Sequence, residues 1–371
     1  MGYIQRSTQR MIALLEAAPP PVRDPRIRVM VVDDSAIVRG LIVQTLERDP
    51  ALRVVARAAQ GEAALAELDR TTVDVVVLDI EMPVMDGLTA LPLILKKRPE
   101  VKVIMASTLT RRNARISLQA LQAGAADYVP KPETGGLVGA DDFARELTAK
   151  VKALGRSGGL PTPPTLAPAA PVVRPAALSP PVRPQVVAIG GSTGAPPALM
   201  SLFADLKGEL EQAVLLTQHM PPTFTAMLAE QLERTGERPA AEARDGEPIL
   251  PGRIYVAPGG WHMTVGRSGQ VPVIRLNQEA AEHFCRPSVD PMLRSAAAVY
   301  GPGVLAVILT GMGADGAEGC RAVAEAGGRF VVQDEATSVV WGMPGAAART
   351  GLAEAVLPLP QIAPWVRRAC A

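Results

Sequence analysis

The chain has 371 residues, 48% of them apolar and 20% charged, with a formal net charge of +1. That length predicts two domains or more, and the neutral balance leaves no electrostatic footprint for nucleic acid or an anionic membrane. Three cysteines (Cys285, Cys320, Cys370) are no disulfide framework, and no apolar run approaches the roughly 18 residues that span a bilayer, so a cytoplasmic protein without direct membrane insertion is expected.

Residues 1–26 read as an N-terminal extension, set off by Pro19, Pro20 and Pro21. The short apolar stretch from Met11 soon meets Glu16 and makes a poor signal peptide. From residue 27 to 152, short apolar strands alternate with amphipathic helices. The expected strands are 27–32, 53–58, 73–78, 101–106 and 127–129. The expected helices are 35–48, 61–69, 88–97, 111–123 and 141–154. Five such units predict a parallel, doubly wound α/β sheet with helices on both faces. Chemistry in such sheets gathers at the carboxyl ends of the strands.

Those ends carry Asp33 and Asp34, then Asp79, then Ser107, then Lys131. Three carboxylates on one rim repel unless a cation sits among them, and hard oxygen ligands in a small pocket suit Mg²⁺. An Asp carboxylate attacks phosphorus once Mg²⁺ neutralises the donor. Lys131 would hold a phosphoryl oxygen and Ser107 would bond the new group. Taken singly, Asp33 and Asp34 could be helix caps and Lys131 a solvated charge. Their joint placement on successive strand ends argues for a site.

The segments VVDDS, VVVLDIEMPVMDG, MAST and YVPKP closely resemble a response-regulator receiver over essentially all of 27–152. The resemblance implies a flavodoxin-like fold with strand order 2-1-3-4-5. It implies phosphorylation of Asp79 by a sensor histidine kinase. Mg²⁺ would be held by Asp33, Asp34, Asp79 and the backbone carbonyl of Glu81. Ser107 and Lys131 take the switch positions, and Tyr128 the switch aromatic.

Residues 153–184 read as a linker. Nine prolines fall in the thirty residues from Gly155 to Pro184, too dense for helix or sheet ladders. A second domain is expected over 185–371.

There, the strand 186–189 runs into Gly-Gly-Ser192-Thr193-Gly-Ala195, with Pro196 and Pro197 opening a helix. The strand 213–216 leads to Thr217-Gln-His219, with Pro221 and Pro222 expected to open the next helix. A third strand, 304–309, leads to Thr310-Gly-Met312-Gly-Ala-Asp315. In a parallel sheet these ends share one edge, so Ser192, His219 and Asp315 form a candidate serine–histidine–aspartate set. A serine hydroxyl needs an imidazole to take its proton, and the imidazole needs a carboxylate to fix its tautomer. Of the three histidines, only His219 directly leaves an apolar strand; His262 and His283 do not. Each signal alone has a plain structural reading: a tight turn, a structural histidine, a helix cap. A nucleotide site is disfavoured, because GGSTGA lacks both glycine-rich phosphate patterns and His219 stands where a dinucleotide fold wants an acid.

The segments AIGGSTGAPPAL, TQHMPPTFT, VAPGGWHM, RPSVDPMLRSAA, LTGMGADGAEG and VVQDEATSVVWGMPGAA strongly resemble the catalytic domain of chemotaxis protein-glutamate methylesterases, the CheB type. Ala195 departs from the family's usual STGG. The resemblance implies a doubly wound, mainly parallel hydrolytic domain. It implies hydrolysis of glutamyl methyl esters on methyl-accepting chemotaxis receptors, commonly with deamidation of receptor glutamines, and no cofactor for that hydrolysis. Thr193 and Met312 match positions beside the nucleophile and in the oxyanion loop; His262, Pro287 and Ser288 shape the pocket. Two other readings are a receiver-driven transcription factor, for which no basic helix-turn-helix follows the linker, and a non-catalytic signalling adaptor, for which a broken triad is expected.

Overall fold

The computed structural model describes residues 24–108, 110–131, 140–156 and 182–371. Most of the expected extension 1–26, Pro132 and most of the expected linker 153–184 lie outside the described residues.

The first domain is a parallel sheet of β1 (Ile27–Val32), β2 (Leu52–Ala58), β3 (Val75–Asp79), β4 (Lys102–Ser107) and β5 (Asp127–Pro130), in the order β2-β1-β3-β4-β5. All five residues of β3 are buried, as a central strand covered on both faces must be. Its helices are α1 (Ala36–Glu47), α2 (Gly61–Arg70), α3 (Gly87–Lys97), α4 (Arg111–Gln122) and α5 (Ala140–Arg156). Three of them start on side-chain caps. Ser35 accepts the Val38 N–H, Asp86 that of Thr89, and Thr110 that of Asn113. Each such cap contributes about 1 kcal/mol. Helix α5 runs to Arg156, past the expected boundary at 152, because Leu154 is fully buried with Ile27 and Leu147 in one apolar cluster.

In the second domain the elements are β6 (Val186–Gly191), α6 (Ala195–Asp205), β7 (Ala213–Gln218), α7 (Phe224–Gly236), β8 (Ala240–Glu242), β9 (Ile254–Val256), β10 (His262–Ser268), β11 (Val271–Asn277), α8 (Val289–Tyr300), β12 (Val304–Ile308), α9 (Ala317–Glu325), β13 (Arg329–Gln333), α10 (Met343–Ala348), β14 (Ala355–Leu357) and α11 (Leu359–Cys370). Seven strands form one parallel sheet, β14-β13-β12-β6-β7-β9-β8. Strands β10 and β11 form a separate antiparallel hairpin. Pro221 and Pro222 do not open α7; they lie in the turn before it, and the helix begins at Phe224. The chain winds outward from β6 in one direction and resumes at β12 on the other side. This reversal is the topological switch point, where sheets of this kind bind ligands.

The two domains touch. Helix α4 packs against α6 and α7. One apolar cluster joins Ala126, Val129, Phe143 and Leu147 of the first domain to Val340 of the second, with Met312 and Val339 packed beside it.

Candidate active site and phosphoacceptor site

Ser192 leaves β6 at the switch point, and its N–H donates to the Thr310 carbonyl at 3.1 Å. That bond draws the loop after β12 against the serine. A Cβ on Gly311 would stand 2.9 Å from the Ser192 Cβ, so only glycine permits the approach. Gly194 takes φ +78° and leaves Ala195 free to start α6 in ordinary helical geometry, which is why alanine replaces glycine there without strain. No internal acceptor takes the N–H of Thr193 or Met312 among the described residues. Two free donors flanking a serine are what a developing oxyanion needs.

His219 follows β7 directly. Its Nε2 lies 2.7 Å from Asp315 Oδ2. Asp315 also accepts the N–H groups of Val289 (2.6 Å), Asp290 (2.9 Å) and Gly316 (2.8 Å). The carboxylate is thus fixed at the start of α8 and before α9. Burial alone would raise its pKa, but the His219 ring and the N–H donors outweigh burial and hold it well below the usual carboxylate range. Burial would likewise lower the His219 pKa. The Cys285 sulfur and Asp315 outweigh it and hold His219 up to about 10. No hydrogen bond joins Ser192 to His219 in this conformation; the Nδ1 faces Cys285 Sγ at 3.4 Å instead.

His262 is buried and structural: its Nδ1 accepts the Ser288 N–H at 3.2 Å, and its Nε2 meets the Ala280 carbonyl at 3.1 Å. His283 pairs with Asp290 at 2.9 Å. Sequence reasoning missed Gln218, whose side chain donates to the Ser192 carbonyl at 2.9 Å, and Gln333, which accepts the Thr310 N–H at 2.8 Å. Both are polar residues at buried strand ends, and that was the available signal. Cys285 and Asp290 were missed too; they lie in a loop and a helix start with no strand to mark them.

In the first domain, Asp33, Asp34 and Asp79 bring carboxylate oxygens within 4.8 Å of one another. Lys131 Nζ lies 2.7 Å from both Asp33 Oδ2 and Asp79 Oδ1. The contact to Asp33 has the distance of an ion pair but not hydrogen-bond alignment, so this buried oxygen has no hydrogen bond. An oxygen-only cluster holding a buried oxygen without a hydrogen bond fits Mg²⁺. Asp79 is raised by burial, against the lowering effect of Lys131. Its Oδ1 also takes the Glu81 N–H at 3.3 Å. A Cβ on Gly87 would fall 2.1 Å from the Asp79 carbonyl, which explains the glycine after Asp86. Ser107 is buried at the end of β4, bonded to the Thr108 carbonyl.

Tyr128 is turned into the junction between the domains. Its ring stacks on Phe224 at 4.4 Å and 5°. Lys150 caps it from behind, bonding the Tyr128 carbonyl at 2.6 Å and pairing with Asp127 at 3.3 Å. Asp127 Oδ2 accepts the Thr193 hydroxyl at 2.6 Å. Arg145 of α5 sits 5.0 Å above the ring of Phe284.

Fold and site together define a receiver joined to an α/β domain with a serine–histidine–aspartate edge, the class of receiver-linked hydrolases. Residues 29–138 match the response regulator receiver domain profile and residues 187–366 the CheB methylesterase profile. A protein-glutamate methylesterase/protein-glutamine glutaminase of Paramagnetospirillum magneticum is 52% identical, covering 95% of this chain and 98% of that one. Its counterpart in Azospirillum brasilense is 53% identical over 93% of each. The crystal structure of the Thermotoga maritima CheB methylesterase catalytic domain is 37% identical with a TM-score of 0.49, covering 50% of this chain and 99% of that one. The chain belongs to the family of receiver-linked protein-glutamate methylesterases/protein-glutamine glutaminases.

Proposed function

We propose that this chain is a phosphorylation-activated serine esterase that removes methyl groups from glutamate methyl esters of chemoreceptors and deamidates receptor glutamines. The observation that carries the reading is the placement of Ser192, His219 and Asp315 at three adjacent strand ends, with His219 bound to Asp315 at 2.7 Å. The adaptor reading, which wants a broken set, is not favoured.

Ser192 Oγ attacks the γ-carbonyl of the substrate and its proton passes to His219. The N–H groups of Thr193 and Met312 receive the oxyanion. His219 returns the proton to the leaving group, methanol from an ester or ammonia from an amide. Water then attacks the acyl-enzyme, losing its proton to His219, which returns it to Ser192 Oγ as glutamate leaves. Asp315 holds the ring and stabilises its charged form.

The receiver controls access. Thr193, next to the nucleophile, bonds Asp127 of the receiver in this conformation, and Met312 packs beside the apolar cluster that joins the two domains. A sensor histidine kinase supplies the phosphoryl group to Asp79. Asp33, Asp34, Asp79 and the Glu81 carbonyl would hold Mg²⁺, which supplies charge neutralisation at the phosphoryl donor. Ser107, Lys131 and Tyr128 then change partners, and the dock at Phe224 weakens. A proline-rich tether keeps the released receiver at high local concentration, so regulation is a docking equilibrium. Three free cysteines fit a cytoplasmic setting.

Methanol release from methylated receptor membranes, with ammonia release from glutamine-bearing receptors alongside, tests this reading. Neither product forming at a rate above the membranes alone would overturn it.

A further inference from the structure

His219 has two ring nitrogens, and the reaction proposed above fixes the duty of each. Asp315 occupies Nε2 at 2.7 Å. The other nitrogen, Nδ1, must therefore accept the Ser192 proton. Here Nδ1 faces the Cys285 sulfur at 3.4 Å, within range of a hydrogen bond to sulfur, and Ser192 makes no hydrogen bond to it.

The loop is built to put Cys285 there. Its N–H donates to the Glu282 carbonyl at 2.8 Å, closing a tight turn. The two central residues, His283 and Phe284, take φ of +53° and +62°, where side-chain-bearing residues are uncommon and a phenylalanine rarer still. Both sides of the turn are tied to α8: Glu282 pairs with Arg294 at 3.0 Å and His283 with Asp290 at 2.9 Å. Cys320 and Cys370 are buried elsewhere in the core.

We propose that Cys285 is a positioning residue for the esterase: its thiol holds the Nδ1 of His219 in the resting enzyme and yields that nitrogen when Ser192 is engaged. This rests on the assignment of His219 as the base.

The exchange balances within the pair. The proton moves from Sγ to Nδ1; the S–H bond breaks, an N–H bond forms, and a thiolate faces an imidazolium. In that form the base has no lone pair for the Ser192 proton. Return of the proton to sulfur frees Nδ1, with no other reactant. The groups facing the ring are Asp315, from the loop after β12, and Cys285, from the turn before α8. Behind Asp315 stand Asp290 of α8 and its partner His283. Cys285 and Asp315 together raise the His219 pKa against the effect of burial.

The test uses the full chain with ¹⁵N-labelled histidine. Its three ring systems are followed by NMR against pH, and His219→Gln identifies the His219 signals. In Cys285→Ala the His219 midpoint should fall by about one pH unit or more, as expected for loss of a charged neighbour in contact. Cys285→Ser should fall similarly and guards against misfolding of the alanine variant. Cys285→Asp, which keeps a negative group, should stay high. His262, held by the Ser288 N–H and the Ala280 carbonyl, is the internal control and should not move. In the phosphodonor-activated enzyme, the acid limb of kcat/KM should shift down in step with the midpoint while KM holds. A His219 midpoint unchanged in both Ala and Ser variants would overturn the proposal. So would a uniform loss of rate with no shift of the limb. The NMR midpoint needs no substrate, so it separates failure of this proposal from failure of the esterase reading.

Discussion

The Thr193 hydroxyl donates to Asp127 Oδ2 at 2.6 Å, a buried bond that ties the residue after the candidate nucleophile to the residue before Tyr128, the proposed switch aromatic. The receiver thus reaches within one residue of Ser192. Tyr128 adds a parallel stack on Phe224 in the same junction. A change in the position of Tyr128 therefore acts on the esterase edge without passing through the linker.

Tyr128→Ala removes that stack. Aromatic pairs contribute about 0.5–1.5 kcal/mol beyond burial, and about 1.4 kcal/mol changes a closed-dominated equilibrium tenfold. Basal methanol release by the unphosphorylated chain should rise about 3- to 10-fold, with less further stimulation on phosphorylation. A basal rate at or below wild type would contradict a closed resting state.

Ser192→Ala and His219→Gln should each lower kcat by about 10⁴–10⁶, because members of such a unit fail together. Asp315→Asn should cost less, on the order of 10²–10⁴. Steady-state methanol release at matched fold checks the order. A larger loss at Asp315 than at Ser192 would reverse the assignment.

Asp79 should take phosphate from a small phosphodonor in a Mg²⁺-dependent manner. Labelling should vanish with a chelator and in Asp79→Asn. Intact-mass measurement of the phosphoprotein decides it, and labelling of Asp79→Asn at an acyl-phosphate linkage would move the site.

The His219–Asp315 pair makes stability depend on pH in both directions. Cys285 and Asp315, against burial, raise His219 to about 10, so its contribution is full below its ordinary value and is lost as pH rises through about 10. Asp315 is held low, so its contribution is present above about pH 4 and is lost as pH falls. Denaturant unfolding of wild type and His219→Gln should show the larger difference near about pH 6, shrinking toward about pH 10. A difference that grows with pH would contradict the ion pair.

Much of this was legible in the sequence, for physical reasons that can be named. Runs such as Val75–Asp79 are apolar because both faces of a central parallel strand are covered, and their ends mark where function sits. Ser192, His219 and Lys131 directly follow strands, Asp79 ends one, and Asp315 sits in the loop after β12, so finding the strands pointed to these candidates. The regions from 237 to 303 and from 326 onward were not read as elements. Strands β8 and β9 have three residues each, too short for periodicity, and the β10–β11 hairpin lies outside the main sheet. Cys285 escaped because its position depends on a turn held by Glu282 and Arg294. Tyr128 on Phe224 joins residues from different domains, and no local pattern records such a pairing.

The most direct test of the account is the initial rate of methanol release from methylated receptor membranes by the full chain, before and after phosphorylation of Asp79. The account expects a rise of about tenfold or more on phosphorylation, and no release above background by Ser192→Ala in either state. Equal rates before and after phosphorylation, or undiminished release by a folded Ser192→Ala protein, would contradict it.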